Sequence, residues 1–267
     1  MIKVEGLVYI YEDGTRALNG IDMDLSKGST IGLIGANGSG KSTLLLTLMG
    51  VLKPTKGLIT LGGLELKANK GSLRDHRKIV NMVFQDPDRQ IFYSRVFDDV
   101  AFGPRNLDMP EGDVRRRVEK SLRMVQMSEY MERPVHFLSY GQKKRVAIAG
   151  VLSMDPQVII MDEPSSGLDP EMRESLKDIM GLLSKEKTVL VSSHDMDFIY
   201  EVCDYVYVLG NGRIIGEGAP ERVFLDKELL TRAKLNVPWL ARLHLDLGLP
   251  LWKNSGQVSK KGLEVSE

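Results

Sequence analysis

A glycine-rich segment at residues 35–43, with the sequence GANGSGKST, constrains the fold of this chain more than any other feature. The compact apolar run 30–34 precedes it, and residues 41–49, rich in Leu and Met, follow it. This pattern predicts a strand, a tight loop and a helix. The glycines let backbone N–H groups converge on phosphate oxygens, and the helix adds the positive end of its dipole. The segment therefore predicts a phosphate-binding loop within an α/β fold.

Further apolar runs support this fold class. Residues 158–162 and 188–192 are continuously apolar, as in strands that are buried on both faces of a parallel sheet, and the helical stretch 170–183 separates them. Residues 2–11 and 21–25 instead alternate between polar and apolar side chains, which predicts two further strands. Residues 205–216, with Gly-Asn-Gly at the centre, predict a hairpin.

Composition excludes several classes of protein. Lys and Arg together number 36, as do Asp and Glu, so no overall field favours nucleic acid, although a local basic patch stays possible. We expect no nucleic-acid partner. Cys203 is the only cysteine, which excludes an internal disulfide, and its apolar surroundings predict a buried packing residue. We expect no signal peptide, because the N-terminus lacks an apolar core region. No apolar run approaches the ~20 residues that span a bilayer.

Charged residues on one predicted helix have a simple interpretation. In residues 112–126, Val114, Val118 and Leu122 share one face, and Arg115 to Arg117 lie on the other. Such an arginine run is typical of a solvated helix face.

Polar residues follow three of the apolar runs. Asp162 and Glu163 end the run from residue 158, at the edge where parallel sheets bind ligands, although two acids before Pro164 could also cap a helix. His194 follows the run 188–192, where a lone histidine is often structural. Gln85 follows the run 79–84, which is weak evidence by itself.

Residues 138–142, with the sequence LSYGQ, precede a predicted helix. The Ser139 hydroxyl, glycine N–H groups and a helix N-terminus together favour an anion site, and Ser139 can equally serve as a helix cap. The phosphate loop, this element and the two acids, in this order, resemble the ATP-binding-cassette (ABC) family. The resemblance implies a P-loop NTPase with a RecA-like core, an antiparallel β subdomain and a helical signature subdomain.

The resemblance also implies ATP and Mg²⁺ as cofactors, and a role for each matching residue. The phosphates would be bound by Gly35, Asn37, Gly38, Ser39, Gly40, Lys41, Ser42 and Thr43. Mg²⁺ would be held by Ser42, Gln85 and Asp162; Glu163 would activate water, and His194 and Gln85 would assist. Tyr11 would stack on adenine, although Tyr9 shares its strand face and either could belong to the core.

The same family places Ser139, Gly141 and Gln142 against the ATP of a second, facing ATPase subunit, with Asp169 in the loop that crosses the dimer interface. Many members have glycine where this chain has Tyr140, and we interpret the difference as variation. A functional unit of at least two chains is thereby implied, either a homodimer or a pair with a paralogue.

Several stretches resemble the ATPases of energy-coupling-factor importers, in particular the cobalt and nickel branch: residues 85–92, 102–104 and 141–152. This implies a transmembrane coupling subunit and a substrate-capture membrane subunit as partners, with the chain bound peripherally to the cytoplasmic face of the cell membrane. The cargo stays open among cobalt, nickel and a vitamin. We expect a cassette at 1–220 with its helical subdomain at about 90–150, a C-terminal helical extension at 221–252, and a disordered tail at 253–267.

The alternative is a soluble ABC ATPase that acts on ribosomes or DNA. Such proteins usually carry two cassettes, a long coiled-coil insertion or zinc-binding cysteines. This chain has one cassette and one cysteine, and Ser139 follows Gln85 by only 54 positions. These features favour the transport ATPase.

Overall fold

The computed structural model describes residues 1–258, which form two compact units. Unit 1 comprises Met1–Leu66 and the chain from Val191 onward, and unit 2 comprises Lys67–Leu190. The strands are β1 Ile2–Ile10, β2 Arg16–Asp24, β3 Thr30–Ile34, β4 Lys56–Leu61, β5 Leu64–Glu65, β6 Val80–Val83, β7 Val158–Asp162, β8 Thr188–Ser192, β9 Tyr205–Gly210 and β10 Arg213–Gly218. The helices are α1 Lys41–Leu48, α2 Lys70–Ile79, α3 Val96–Asn106, α4 Glu111–Met124, α5 Tyr140–Ser153, α6 Pro170–Leu183, α7 Met196–Val202, α8 Pro220–Leu225, α9 Lys227–Ala233 and α10 Trp239–Leu247.

Unit 1 contains an antiparallel sheet with the strand order β2-β1-β4-β5. Alternate residues of β1 are buried at first, namely Ile2 and Val4, as the alternating pattern predicts. The register between β1 and β2 then shifts beyond Val4, and Leu7 becomes the next buried residue. Because of this shift, the alternation of polar and apolar residues predicts only the second half of β2 as a strand.

Unit 1 also contains the strand that leads into the phosphate loop. All five residues of β3 are buried, and β3 pairs in parallel with β9, with Ile31 opposite Tyr205 and Ile34 opposite Val208. β9 turns back into the antiparallel strand β10 through Asn211, whose φ of 49° lies in the left-handed region. The predicted hairpin and buried strand are both present.

Unit 2 contains the parallel pair β6 and β7, in which Val80 lies opposite Val158 and Val83 opposite Met161. On α4, the valines and Leu122 are buried, whereas Arg115 and Arg116 are exposed and pair with Glu119 and Asp113 on the same helix. This arrangement confirms the solvated face that the sequence predicts for those two arginines.

The chain after β10 forms α8, α9 and α10 in unit 1. The backbone N–H of Trp239 donates to the Asp197 carboxylate over 2.7 Å, and Lys253 Nζ donates to the Cys203 carbonyl and pairs with Glu221, each over 3.0 Å. Cys203 itself is buried, as predicted. None of the helices within residues 1–258 is long and apolar enough to cross a membrane.

The predicted division into a cassette, an extension and a tail stays a prediction. Residues 253–258, at the start of the predicted tail, include a short 3₁₀ turn at Ser255–Gln257. The rest of that segment lies outside the described residues.

Candidate nucleotide site

The phosphate loop in unit 1 joins β3 to α1. Gly40 precedes α1 and no side chain caps this helix end, so its first N–H groups lie where an anion can bind. Lys41 Nζ donates to the carbonyls of Gly35 and Ala36, over 2.7 and 3.3 Å, and is therefore held over the loop. The buried Ser39 Oγ has no hydrogen-bond partner among the described residues. This hydroxyl and helix end fit a phosphate group.

Gly40 is required by the packing of the loop as well as by its conformation. Its φ is 107°, which side-chain-bearing residues rarely adopt, and a Cβ would lie 2.6 Å from the carbonyl oxygen of Ala17 on β2. The glycine therefore lets the loop approach the antiparallel sheet of unit 1 closely.

Tyr11 lies beside this loop. Its hydroxyl and Thr43 Oγ1 are 2.8 Å apart, and its ring is 40% exposed. Tyr9 is less exposed and contacts Tyr11 edge to face, with ring centroids 5.0 Å apart. The hydroxyl contact holds the exposed Tyr11 ring at the start of α1, which favours Tyr11 over Tyr9 as a stacking surface.

His194 lies in the short connection between β8 and α7, and it is exposed. Its neighbour Asp195 caps α7 by accepting a hydrogen bond from the Phe198 N–H over 2.9 Å. The Asp195 N–H donates in turn to Ser193 Oγ over 3.0 Å. These bonds fix the backbone on the C-terminal side of His194, while the imidazole stays accessible.

In unit 2, Asp162 is the last residue of β7 and Glu163 follows it. Glu163 is buried and its φ is 45°, in the left-handed region that costs a non-glycine residue about 1–2 kcal/mol. Such a conformation persists only where the surroundings hold it. The Glu163 carbonyl accepts hydrogen bonds from the Ser166 N–H over 3.2 Å and from Lys144 Nζ over 3.3 Å.

Gln85 comes close to Glu163 because of strand register. Val83 on β6 pairs with Met161 on β7, and Gln85 and Glu163 each follow two residues later. Within unit 2, the side-chain oxygens of Asp162 and Gln85 are of the hard type that Mg²⁺ prefers. The Ser42 hydroxyl, in unit 1, is an oxygen donor of the same type.

Lys144 on α5 is a site residue that the sequence patterns did not single out. It is 1% exposed, and its Nζ donates to the Gln85 carbonyl over 2.6 Å in addition to the Glu163 carbonyl. Burial lowers the pKa of Lys144 to about 8, against the opposing attraction of Asp162, Asp86 and Glu163. A signal was present in the sequence: Lys144 shares a helical face with the apolar Ile148 and Val151.

The LSYGQ element, residues 138–142, forms the start of α5. Ser139 Oγ accepts from the Gln142 N–H over 3.3 Å, and Gln142 Oε1 accepts from the Ser139 N–H over 2.9 Å, which makes a capping box. Ser139 is therefore a helix cap, and it is also exposed. A Cβ on the buried Gly141 would overlap the Met172 side chain on α6. Asp169 caps α6 by accepting from the Met172 N–H over 2.8 Å.

Tyr140 has two contacts that account for an aromatic residue at this position. Its hydroxyl donates to the Gln85 carbonyl over 3.3 Å, and its ring lies against Gly167, where a Cβ would be 2.9 Å from Tyr140 Cε1. Burial, followed by the charges of Asp86 and Asp88, raises the pKa of the Tyr140 hydroxyl, so it remains a donor at neutral pH.

Comparison with known proteins identifies the family to which these elements belong. The sequence model of the family described as ABC transporter matches residues 18–166, more than half of the chain. The chain belongs to the ABC transporter family. ATP-binding subunits of this family hydrolyse ATP to power transport, and the predicted fold class and ATPase activity are thereby confirmed.

Two relatives and two solved structures illustrate the similarity. The energy-coupling factor transporter ATP-binding protein EcfA of Methanosphaera stadtmanae is 46% identical over 91% of this chain and 88% of its own. The cobalt import ATP-binding protein CbiO of Salmonella typhi is 44% identical over 95% and 93%. CbiO1 of Clostridium perfringens, part of the ABC transporter complex CbiONQ, has a TM-score of 0.79, with 39% identity over 92% and 95%. An ATP-binding cassette solved as a post-hydrolysis dimer with ADP and phosphate has a TM-score of 0.75, with 25% identity over 82% and 99%.

Proposed function

We propose that this chain is the ATP-hydrolysing subunit of an energy-coupling-factor importer that takes up cobalt ions. The observation that carries the proposal is the length of the similarity to cobalt import ATP-binding proteins. The alignment covers 254 residues and leaves 13 residues of this chain outside, so it runs through most of the extension 221–252 as well as the cassette. The EcfA relative also aligns over 91% of this chain, so the matched extension supports the importer class, and the similarity to the cobalt import protein supports the cargo.

In unit 1, the loop would hold the nucleotide phosphates. Gly35, Asn37, Gly38 and Gly40 would present backbone N–H groups, Ser39 and Thr43 would add hydroxyls, and Lys41 would turn from its own loop carbonyls to the β- and γ-phosphates. Tyr11 would provide the stacking surface for adenine, and His194 would contact the γ-phosphate.

In unit 2, Glu163 would orient and deprotonate the attacking water, with Gln85 beside it. Ser42, Asp162 and Gln85 would hold Mg²⁺, which when bound neutralises charge that develops on the phosphates. The chain's own contribution is positional: the left-handed backbone of Glu163 and the register of β6 with β7 set where the two side chains begin.

Ser139, Gly141 and Gln142 would bind the γ-phosphate held by a second ATPase subunit, and Asp169 would lie at the dimer interface. The exposure of Ser139, together with the dimeric state of the related cassette, supports this assignment. A transmembrane coupling subunit and a substrate-capture subunit would complete the importer and hold this chain peripherally at the cytoplasmic face of the membrane.

The proposal is tested by uptake through the assembled transporter. The chain is co-expressed with the membrane proteins encoded beside its gene, and accumulation of radioactive Co²⁺ is measured for the native chain and for Glu163→Gln. Uptake should require the native chain, whereas Glu163→Gln should retain ATP binding, abolish uptake and accumulate as a closed dimer with ATP. Glu119→Gln, which changes a half-buried glutamate on α4 that pairs with Arg115, serves as the matched control.

Accumulation of Ni²⁺ or of a vitamin in place of Co²⁺ would overturn the cargo assignment. A monomeric gel-filtration profile of Glu163→Gln with ATP would overturn the dimer assignment. ATPase activity that fractionates wholly away from the membranes would instead favour the alternative ATPase that acts on ribosomes or DNA.

A further inference from the structure

One carbonyl oxygen in unit 2 accepts two side-chain donors from the first turns of α5. The Gln85 carbonyl accepts from Lys144 Nζ over 2.6 Å and from the Tyr140 hydroxyl over 3.3 Å. Lys144 Nζ also donates to the Glu163 carbonyl. Residues 85, 144 and 163 are widely separated in sequence, so these contacts are made by the tertiary fold alone.

Both accepting carbonyls belong to residues that leave the sheet. Val83 and Met161 form the last β6–β7 pair among the described residues, so the strand pairing does not extend to Gln85 and Glu163. Their backbones therefore depend on other contacts for position. Glu163 depends on them most, because its φ of 45° is unfavourable for a residue with a side chain.

A buried ammonium group is retained only where acceptors compensate for its loss of water. Lys144 finds two carbonyls, and an ammonium-to-carbonyl hydrogen bond is stronger than one between neutral groups. The Tyr140 ring adds a contact with Gly167, in the loop that leads from Glu163 to Asp169. The first turns of α5 thus touch the segments of Gln85, Glu163 and Asp169.

We propose that Lys144 and Tyr140 are positioning residues for ATP hydrolysis, which hold the backbones of Gln85 and Glu163 in register with the signature helix α5. This inference rests on the proposed roles of Gln85 and Glu163. It also gives the LSYGQ element and its helix a second role, because Ser139, which caps α5, is proposed to bind phosphate, and α5 itself restrains the hydrolytic residues of its own chain.

The kinetic experiment separates turnover from nucleotide binding. Lys144→Met keeps most of the side-chain length and removes both hydrogen bonds, so kcat for Mg-ATP hydrolysis by the full chain should fall about tenfold or more. The KM for ATP should change by less than about twofold, because no phosphate contact is removed. Lys144→Gln, which keeps an N–H donor, should recover part of the lost kcat.

Tyr140→Phe removes one hydroxyl from an accessible ring, and it should lower kcat about two- to fivefold with KM unchanged. If Lys144→Met does not fold, the kcat of Tyr140→Phe alone tests the positioning role. Lys143→Met is the matched control: it removes the adjacent lysine of α5, whose ion pair is with Asp88, and leaves both carbonyls bound. We expect native kcat for this control.

A native kcat in both Lys144→Met and Tyr140→Phe would overturn the inference, as would a change confined to KM. If those variants are native while Glu163→Gln is inactive, the proposed function stands and only the positioning role fails. If Glu163→Gln hydrolyses ATP normally, the proposed role of Glu163 fails first.

Discussion

Alanine at Gly40 should destabilise the chain more than alanine at Gly38, although both glycines belong to the same loop and both have positive φ. At Gly38, with φ 77°, a Cβ meets nothing within 4 Å. The left-handed conformation costs alanine about 1–2 kcal/mol, and the lower entropy of its unfolded chain offsets about 0.4–1 kcal/mol. Gly38→Ala should therefore lower the free energy of unfolding by about 1 kcal/mol.

At Gly40 a second cost is added, because the Cβ would lie 2.6 Å from the Ala17 carbonyl oxygen and 3.2 Å from Leu18 Cδ2. A backbone carbonyl in a paired strand cannot move aside as a flexible side chain does, and forced overlap in a packed region costs about 1–3 kcal/mol. Gly40→Ala should thus be less stable than Gly38→Ala by about 1–3 kcal/mol.

Urea unfolding without nucleotide measures this difference, and the melting temperatures should differ in the same direction. Gly248→Ala, with φ 66° and open space around it, calibrates the conformational cost away from the loop. Equal stability of the Gly38 and Gly40 variants would contradict this prediction, since it would mean that the loop moves away from β2 at no cost. A large loss in Gly248→Ala would likewise show that conformation alone accounts for the effect.

Two further outcomes are expected. Because Cys203 is buried and burial raises the pKa of its thiol, iodoacetamide should modify it only in urea, and rapid labelling in native buffer, followed by mass spectrometry, would contradict this. The Asp99 carboxylate accepts hydrogen bonds from the N–H groups of Phe92 and Tyr93, and burial raises the pKa of Asp99. At pH values between the pKa of Asp99 in the unfolded chain and its pKa in the folded chain, the folded chain binds more protons than the unfolded chain. The stability of the folded chain therefore falls as pH rises through this interval. Asp99→Asn keeps an acceptor without the charge, so its stability relative to the native chain should increase from about pH 4 to about pH 7; urea unfolding at the two pH values checks this, and a constant difference would count against it.

Local sequence patterns are sufficient for the elements that carry the phosphate loop and the acids. The runs 158–162 and 188–192 and the helix 170–183 have the predicted bounds, because continuous apolar runs and Pro170 at the first helical position are unambiguous signals. The loop glycines can be identified for the same reason: their conformational requirement is local.

Features that depend on distant segments cannot be predicted in this way. The alternation of polar and apolar residues does not predict the first half of β2, because the pairing register of β2 with β1 shifts there. The sequence of one strand does not show where its register with another strand shifts. Lys144 lies within the stretch 141–152 without a predicted role, since its acceptors are backbone carbonyls, which every residue possesses. Tyr140 has no local explanation for the same reason, because its contacts with Gln85 and Gly167 exist only in the folded chain.

The register of β6 with β7 has a consequence for how chains of this kind can change. Successive side chains of a strand point to opposite faces, so adding or removing one residue within β6 or β7 would reverse the faces of the strand residues beyond it and shift the point from which Gln85 or Glu163 leaves the sheet. Substitution of one apolar residue for another within β6 or β7 leaves the count unchanged. Insertions and deletions within β6 and β7 should therefore be selected against even where the apolar residues themselves are free to vary.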